Sequence, residues 1–294
     1  MSLGKFSVWS SLEDKTAAEA ASFAQRVERW GYQVLWIPES FTSNALVRAS
    51  WLLANTSKLV VATGIISIYA RDVLATTAGQ YRLAEQSNGR FLLGLGVSHA
   101  PTVEGRRGHK YGPPVPTMRS YLEAMASLKI PGAQPPEKPK TVIAALGPKM
   151  LALAAELADG AHPYNVTPDH TAQAREVLGP GKLLCTEQMV VLEKDPATAR
   201  AAGRRTLSVY LKLPNYCNNL LRLGFTENDL AADGSDRLID GLIAWGDEKA
   251  IRARLQQHLD AGADQVCIQS IPREGVASRP ADEKIFELLA PAAS

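Results

Sequence analysis

Lys58 to Asp72 reads K-L-V-V-A-T-G-I-I-S-I-Y-A-R-D, and this stretch decides the fold. Leu59, Val60, Val61, Ala62, Ile65 and Ile66 crowd around Thr63-Gly64. A near-continuous apolar run rich in β-branched residues suits a strand buried on both faces, as in a parallel sheet. A glycine inside such a strand gives up packing, so it marks a bulge or a close approach by another backbone or a ligand. The plainer reading, that Gly64 only relieves crowding in a tight barrel, stands beside it.

Outward from this strand the chain alternates. Phe6–Ser10 reads as the first strand, Thr16–Trp30 as a helix closed by Gly31, and Val34–Ile37 as a second strand halted by Pro38. Asn44–Asn55 reads as helix, capped by Ser43 or Asn44, and the strand around Gly64 comes third. Asp72 caps a helix to about Ser87, Phe91–Leu95 is strand four, and a Gly/Pro/basic loop spans Gly96–Pro116. Thr117 is placed as the cap of the next helix. Thr141–Ala145, Gly160–Pro163, Leu184–Leu192 and Gln265–Gln269 supply strands five to eight. Helices lie between them at Pro148–Ala158, Pro168–Leu178, Pro196–Leu213 and from Asp247 to Asp260, and Asn215–Ile243 adds further helical material. Strand–helix alternation repeated about eight times predicts one α/β domain over residues 1–294, a (β/α)8 TIM barrel. Its insertions follow strands four and seven.

Composition narrows the classes. With 32 Lys plus Arg against 30 acids, the net charge of +2 gives no electrostatic case for nucleic acid or a membrane surface. No apolar run is long enough to cross a bilayer, and the N-terminus shows no signal-peptide core. Cys185, Cys217 and Cys267 are scattered, without a CxxC, which points to a reduced cytosolic compartment rather than a disulfide framework or a zinc site. Gly94–His99 has histidine where a dinucleotide fingerprint needs its third glycine, no P-loop is present, and the five histidines form no i,i+4 pair. No resident metal is expected.

In a barrel the informative residues follow the strands. They are Glu39, Ser40 and Phe41 after strand two, Gly64-Ile65 and Arg71-Asp72 on strand three, and Val97, Ser98 and His99 after strand four. Leu146, Gly147, Pro148 and Lys149 follow strand five, and His162, Pro163 and Tyr164 follow strand six. Gly147 removes a side chain where a helix begins, and unpaired N–H groups there favour an anion such as a phosphate; Lys149 adds a cation. A simple βα turn explains Gly147-Pro148 equally well. His99 and His162 have the chemistry of proton carriers, although a histidine near a strand end also serves as a structural hydrogen-bonding group. Glu39 reads either as part of the pocket or as a solvated charge. Arg106, Arg107 and Lys110 suit an acidic ligand tail or plain solvent.

These residues resemble a known family, the luciferase-like monooxygenases and F420-dependent oxidoreductases, over nearly the whole chain. The resemblance rests on residues 59–72, L-A-E-Q-S-N-G-R-F-L-L-G-L-G-V-S-H at 83–99, A-L-G-P-K-M-L-A-L-A at 145–154, A-D-G-A-H-P-Y-N-V-T-P-D-H-T at 158–171 and W-G-D…A-G-A-D-Q-V-C-I-Q at 245–269. It implies a TIM barrel holding a flavin or the deazaflavin F420 at the strand C-terminal ends. It also implies a non-prolyl cis peptide at Gly64-Ile65 behind the cofactor ring. Backbone at Leu146-Gly147 would hold the cofactor phosphate, with Glu39, Val97 and His162 around the ring. The family's dehydrogenases commonly carry an Asp-His pair after strand two, where this chain has Glu39-Ser40, and its sugar-phosphate dehydrogenases carry a glutamate near His99.

The resemblance thus implies an F420-dependent oxidoreductase moving hydride between the deazaflavin C5 and a small organic substrate. His99 would carry the proton, with Ser40 and Glu39 orienting substrate or water. An FMN-dependent monooxygenase and a non-catalytic cofactor-binding protein are the alternatives. A homodimer through the Asn44–Leu53 and Asp72–Gln86 helices is expected as well.

Overall fold

The structure, a computed structural model, describes residues 3–40, 43–274 and 282–291; Phe41 lies outside them. Its strands are β1 (Phe6–Trp9), β2 (Val34–Ile37), β3 (Val60–Thr63), β4 (Ile66–Ser67), β5 (Phe91–Gly96), β6 (Thr141–Ile143), β7 (Gly160–Ala161), β8 (Leu183–Leu192), β9 (Ile243–Gly246) and β10 (Gln265–Ser270). All neighbouring strands pair in parallel, and β10 pairs with both β1 and β8, which closes the ring. The fold is the (β/α)8 barrel expected from the alternation, with β4 continuing β3 beyond Gly64-Ile65.

Two apolar layers follow from strand periodicity. Val34, Trp36, Val60, Ala62, Leu92, Val142, Cys185 and Cys267 fill the barrel interior. Alternate residues such as Leu35, Val61, Leu93 and Ile268 join the larger core under the helices. One step further toward the strand C-termini, the interior positions divide by size. Gly64, Gly96 and Ala144 lie on one side; Trp9, His162, Glu187 and Gln269 lie on the other. The small residues leave room at the mouth of the barrel.

Gly64 is required by space. A Cβ there would lie 2.8 Å from Trp9 Nε1 and 3.0 Å from His162 Nε2. The Gly64-Ile65 peptide is cis, as the resemblance implied. The bulge is tied down on both sides: Trp9 Nε1 donates to Gly64 O at 3.0 Å, and the Glu39 amide donates to Ile65 O at 3.2 Å.

Four local expectations are corrected. Thr117 does not cap its helix, which spans Pro114–Ser127 and starts with proline in its first turn; the Thr117 hydroxyl donates back to Pro113 O. The loop after β5 contains a short helix, Ala100–Gly105. The Pro196–Leu213 helix stops at Leu207, before a 3-10 turn at Tyr210–Lys212. Finally, Ile243–Gly246 is a strand, not the end of a helical stretch. The ten-residue β8 extends beyond its barrel partner at β7 and offers Met189–Leu192 as an edge, which Ile243–Gly246 takes. Met189 and Val191 on this extension pack against Leu220, Leu238, Ile239 and Leu242 of the insertion. This second small core fixes the insertion over the barrel mouth.

Candidate functional site

At the mouth lies a cavity of about 470 Å³. Its inner end is formed by Ile65, Gly96, Ala144 and His162, all from strand ends. Val97, Ser98 and His99 line one flank, and Leu146, Gly147, Pro148 and Lys149 line another. Most of the residues expected to converge from separate strands therefore do so. Gly64 supports the inner end through its contacts with Trp9 and His162 without lining the cavity itself.

Glu39 and Ser40 are not among the residues that line it. The Glu39 carboxylate is buried and accepts from both terminal nitrogens of Arg71, whose Nη2 also donates to Asn44 Oδ1. An acid in this position would be costly to bury without a partner, and the guanidinium supplies one in bidentate geometry. Glu39 thus holds the loop behind the bulge through its side chain and Ile65 through its amide.

His162 is 2% exposed and lies against Trp36. Its Nδ1 is 2.7 Å from Cys185 O and must carry the proton there, since a carbonyl can only accept. That leaves a lone pair on Nε2, which is buried without a partner. Burial, opposed by the bond to Cys185, pushes this imidazole down to about 4, so it is neutral across the physiological range. This acceptor beside the bulge is open to a donor from a bound molecule or a water.

His99 precedes the short Ala100–Gly105 helix and does not cap it with its side chain. Burial lowers its basicity, against a hydrogen bond that its ring N–H donates to Asn215, which raises it. Its ring lies 5.9 Å from that of Tyr216. At the other end, the helix Pro148–Leu157 begins at Gly147 with no side-chain cap, and Lys149 is exposed beside it. A Cβ on Gly147 would come within 3.2 Å of Arg222 Nη2, so the glycine lets that guanidinium approach the helix start. His170 Nε2 donates to Leu146 O at 2.8 Å and steadies the turn from behind. Backbone N–H groups and two cations make this end suited to a phosphate.

The sequence did not single out Asn215, Tyr216, Asn218 or Arg222, which reach the cavity from the helix Pro214–Arg222. Nor did it single out Glu187, a fully buried acid whose carboxyl burial pushes up to about 8, while a weak bond from the Asn165 amide lowers it. A glutamate inside the apolar alternation of β8 was the available signal. Among the described residues no cluster suited to a metal ion is found, and no helix is long and apolar enough to cross a membrane.

Comparison with known proteins places this geometry. A profile described as luciferase-like monooxygenase matches residues 1–265. A Mycobacterium tuberculosis protein provisionally named a coenzyme F420-dependent oxidoreductase is 24% identical over 94% of this chain and 97% of its own. The 5,10-methylenetetrahydromethanopterin reductase of Archaeoglobus fulgidus is 24% identical over 84% of this chain and 88% of its own. In fold, an F420-dependent secondary alcohol dehydrogenase with an F420-acetone adduct superposes with a TM-score of 0.73 at 15% identity, covering 97% of this chain and 96% of its own. The FMN-bound oxygenating component of a Pseudomonas putida diketocamphane monooxygenase gives 0.68 at 12% identity, with the same coverage of 97% and 96%. The chain belongs to the luciferase-like monooxygenase family.

Proposed function

We propose that this protein is an F420-dependent oxidoreductase that acts on a small organic substrate. One observation carries the reading: a single cavity joins the Gly64-Ile65 bulge and the unpartnered His162 Nε2 to an uncapped helix start flanked by Lys149 and Arg222. Those two ends suit a flat ring with a hydrogen-bonding edge and a phosphate, respectively. The relative provisionally named for F420, matched over nearly the whole length of both chains, favours the deazaflavin over FMN. When bound, F420 supplies hydride transfer at its C5.

The chain's residues then divide the remaining work. Ile65 backs the ring, held by Glu39, while His162 offers its Nε2 as an acceptor. Val97 and Ser98 border the ring, and Leu146, Gly147, Pro148 and Lys149 with Arg222 hold the phosphate. His99, neutral and bonded to Asn215, carries the substrate's proton. Ser40, beside Glu39 after β2, orients substrate or water from the rim.

A cytosolic homodimer belongs to the same proposal. Val47, Trp51 and Leu74 are 67%, 45% and 58% exposed on the Ala45–Ala54 and Val73–Gln86 helices, which supports pairing with a second copy. The three cysteines are unpaired.

Equilibrium binding of F420 and, in parallel, FMN, read by fluorescence quenching, tests the reading. Selective F420 binding is expected. Selective FMN binding would replace it with an FMN-dependent monooxygenase, and tight F420 binding without turnover of any substrate would leave a cofactor-binding protein.

A further inference from the structure

The cavity walls left over by the cofactor have a distinct chemistry. They come from the insertion after β5, the turn after β7 and the Pro214–Arg222 helix: His99, Tyr111, Val115, Tyr164, Asn215 and Tyr216. Among the described residues no carboxylate lines the cavity, and the two cations that do, Lys149 and Arg222, both stand at the Gly147 end. The rings form a connected face. Tyr164 lies 5.8 Å from Trp9 and 6.5 Å from Tyr216, Tyr216 lies 5.9 Å from His99, and Tyr210 sits behind at 5.4 Å from Tyr164 and 5.2 Å from Tyr216.

The hydroxyls of this face are largely engaged. Tyr164 donates to Gln269 Oε1 at 3.0 Å and, with its proton so placed, accepts from the Tyr210 hydroxyl at 3.0 Å. Tyr164 therefore presents ring rather than hydroxyl to the cavity. Open hydrogen-bonding capacity remains at His99 and Asn215. A charged substrate would lose its hydration here without gaining a countercharge. A flat apolar body gains ring-on-ring contact.

We infer that the substrate is an uncharged, flat, aromatic or conjugated carbonyl compound, or the alcohol derived from it, with its oxygen at His99 and Asn215. This rests on the cofactor reading above. In the reducing direction F420, when bound, would supply hydride to the carbonyl carbon as the C=O π bond opens toward oxygen. That oxygen takes a proton from the His99 N–H while the second ring nitrogen regains one from solvent. The products are the alcohol and oxidised cofactor; in the other direction every transfer reverses.

The test uses F420-loaded protein and three probes: acetophenone, cyclohexyl methyl ketone and 4-acetylbenzoate, with binding measured by saturation-transfer NMR and titration. Acetophenone is expected to bind at least fivefold more tightly than either of the others. Tyr216→Leu, checked for an unchanged melting temperature, is expected to lose most of that preference, and Tyr216→Phe to retain it. Equal or tighter binding of the saturated ketone or the carboxylate overturns the inference, as does an unaltered preference in Tyr216→Leu. Failure of F420 itself to bind, seen before any probe is added, removes the cofactor reading and this inference with it. F420 binding with no preference among probes removes the inference alone.

Discussion

His162 and Trp36 lie face to face inside the barrel, with ring centroids 4.3 Å apart and planes 5° from parallel. The stack and the Nδ1–H bond to Cys185 O leave the imidazole one orientation and one tautomer, with Nε2 turned to Gly64. A strand-end histidine is thereby converted from a titrating group into a fixed acceptor.

Replacing it tests that fixity. His162→Phe keeps an aromatic face for Trp36 but leaves the Cys185 carbonyl without its side-chain donor, at a cost of about 1–3 kcal/mol at neutral pH. In the native chain the imidazole titrates at about 4 when folded and near 6.5 when unfolded. The unfolded state therefore binds the extra proton in that window, and the stabilisation present above pH 6.5 is lost as pH falls toward 4. Chemical unfolding across this range is expected to show a shallower acid-side slope in His162→Phe. F420 affinity should fall as well.

Gly64→Ala adds a methyl group against Trp9 and His162, neither of which is free to move: one is bonded to Gly64 O and the other stacked. Overpacking of this kind costs about 1–3 kcal/mol. A melting point several degrees lower and loss of cofactor binding are expected. Gly105→Ala meets nothing within 4 Å and serves as the control, with stability within about 0.5 kcal/mol of the parent.

The barrel itself was legible because its strands are short, apolar and bounded by helices with clear caps: Val34–Ile37 and the Pro168–Leu178 helix fall where the pattern puts them. Residues that follow those strands could be placed at the mouth by topology alone. Position after a strand does not decide which way a side chain turns, however. Glu39 follows β2 as expected, yet Arg71 draws its carboxylate away from the cavity. The insertion was less legible for a different reason. Its strand β9 is only Ile243–Gly246, and it forms because β8 leaves an edge open, a fact of tertiary pairing that four residues cannot announce. Tyr216 and Arg222 were missed with it.

Glu187 gives a pH dependence of the opposite sign. Its carboxyl keeps its proton to about pH 8 in the folded chain, whereas the unfolded group releases it near 4.5. Between those values the folded state binds more protons, so rising pH costs stability, and the loss is complete above pH 8. Glu187→Gln removes this liability. Urea titrations should find the two proteins similar below pH 4.5 and the variant more stable, by a few kcal/mol, at pH 8.5. An unchanged difference across that range would mean that Glu187 is solvated or paired.

Lys149 and Arg222 act on the anion end. Charge-assisted bonds to a phosphate are worth about 1.5–3 kcal/mol, so Arg222→Ala is expected to weaken cofactor binding by roughly tenfold or more. Lys149 is exposed and held less closely, so Lys149→Ala should have the smaller effect. Titrations at low and high salt should show both losses shrinking as ionic strength rises. Equal affinity of the parent and both variants would move the phosphate away from Gly147.

His99 bears the proposed proton transfer, and two properties make its contribution separable. It lines the cavity but makes none of the contacts that hold Ile65, His162 and the Gly147 turn, so removing it leaves them intact. Its basicity is lowered by burial, which keeps the imidazole neutral at pH 7 and able to take a proton from a substrate alcohol as hydride departs. In His99→Ala, turnover with the first substrate found is expected to fall by about 10²–10⁴, the usual range for a positioned acid–base group, with cofactor affinity within about twofold of the parent. The acid limb of the kcat profile in the oxidising direction should disappear, because protonation of His99 is what closes the reaction at low pH. His99→Gln keeps a hydrogen-bonding group beside Asn215 but cannot exchange the proton, so it should bind substrate as the parent does and still turn over slowly. Retention of the acid limb in both variants would assign the proton transfer to another group.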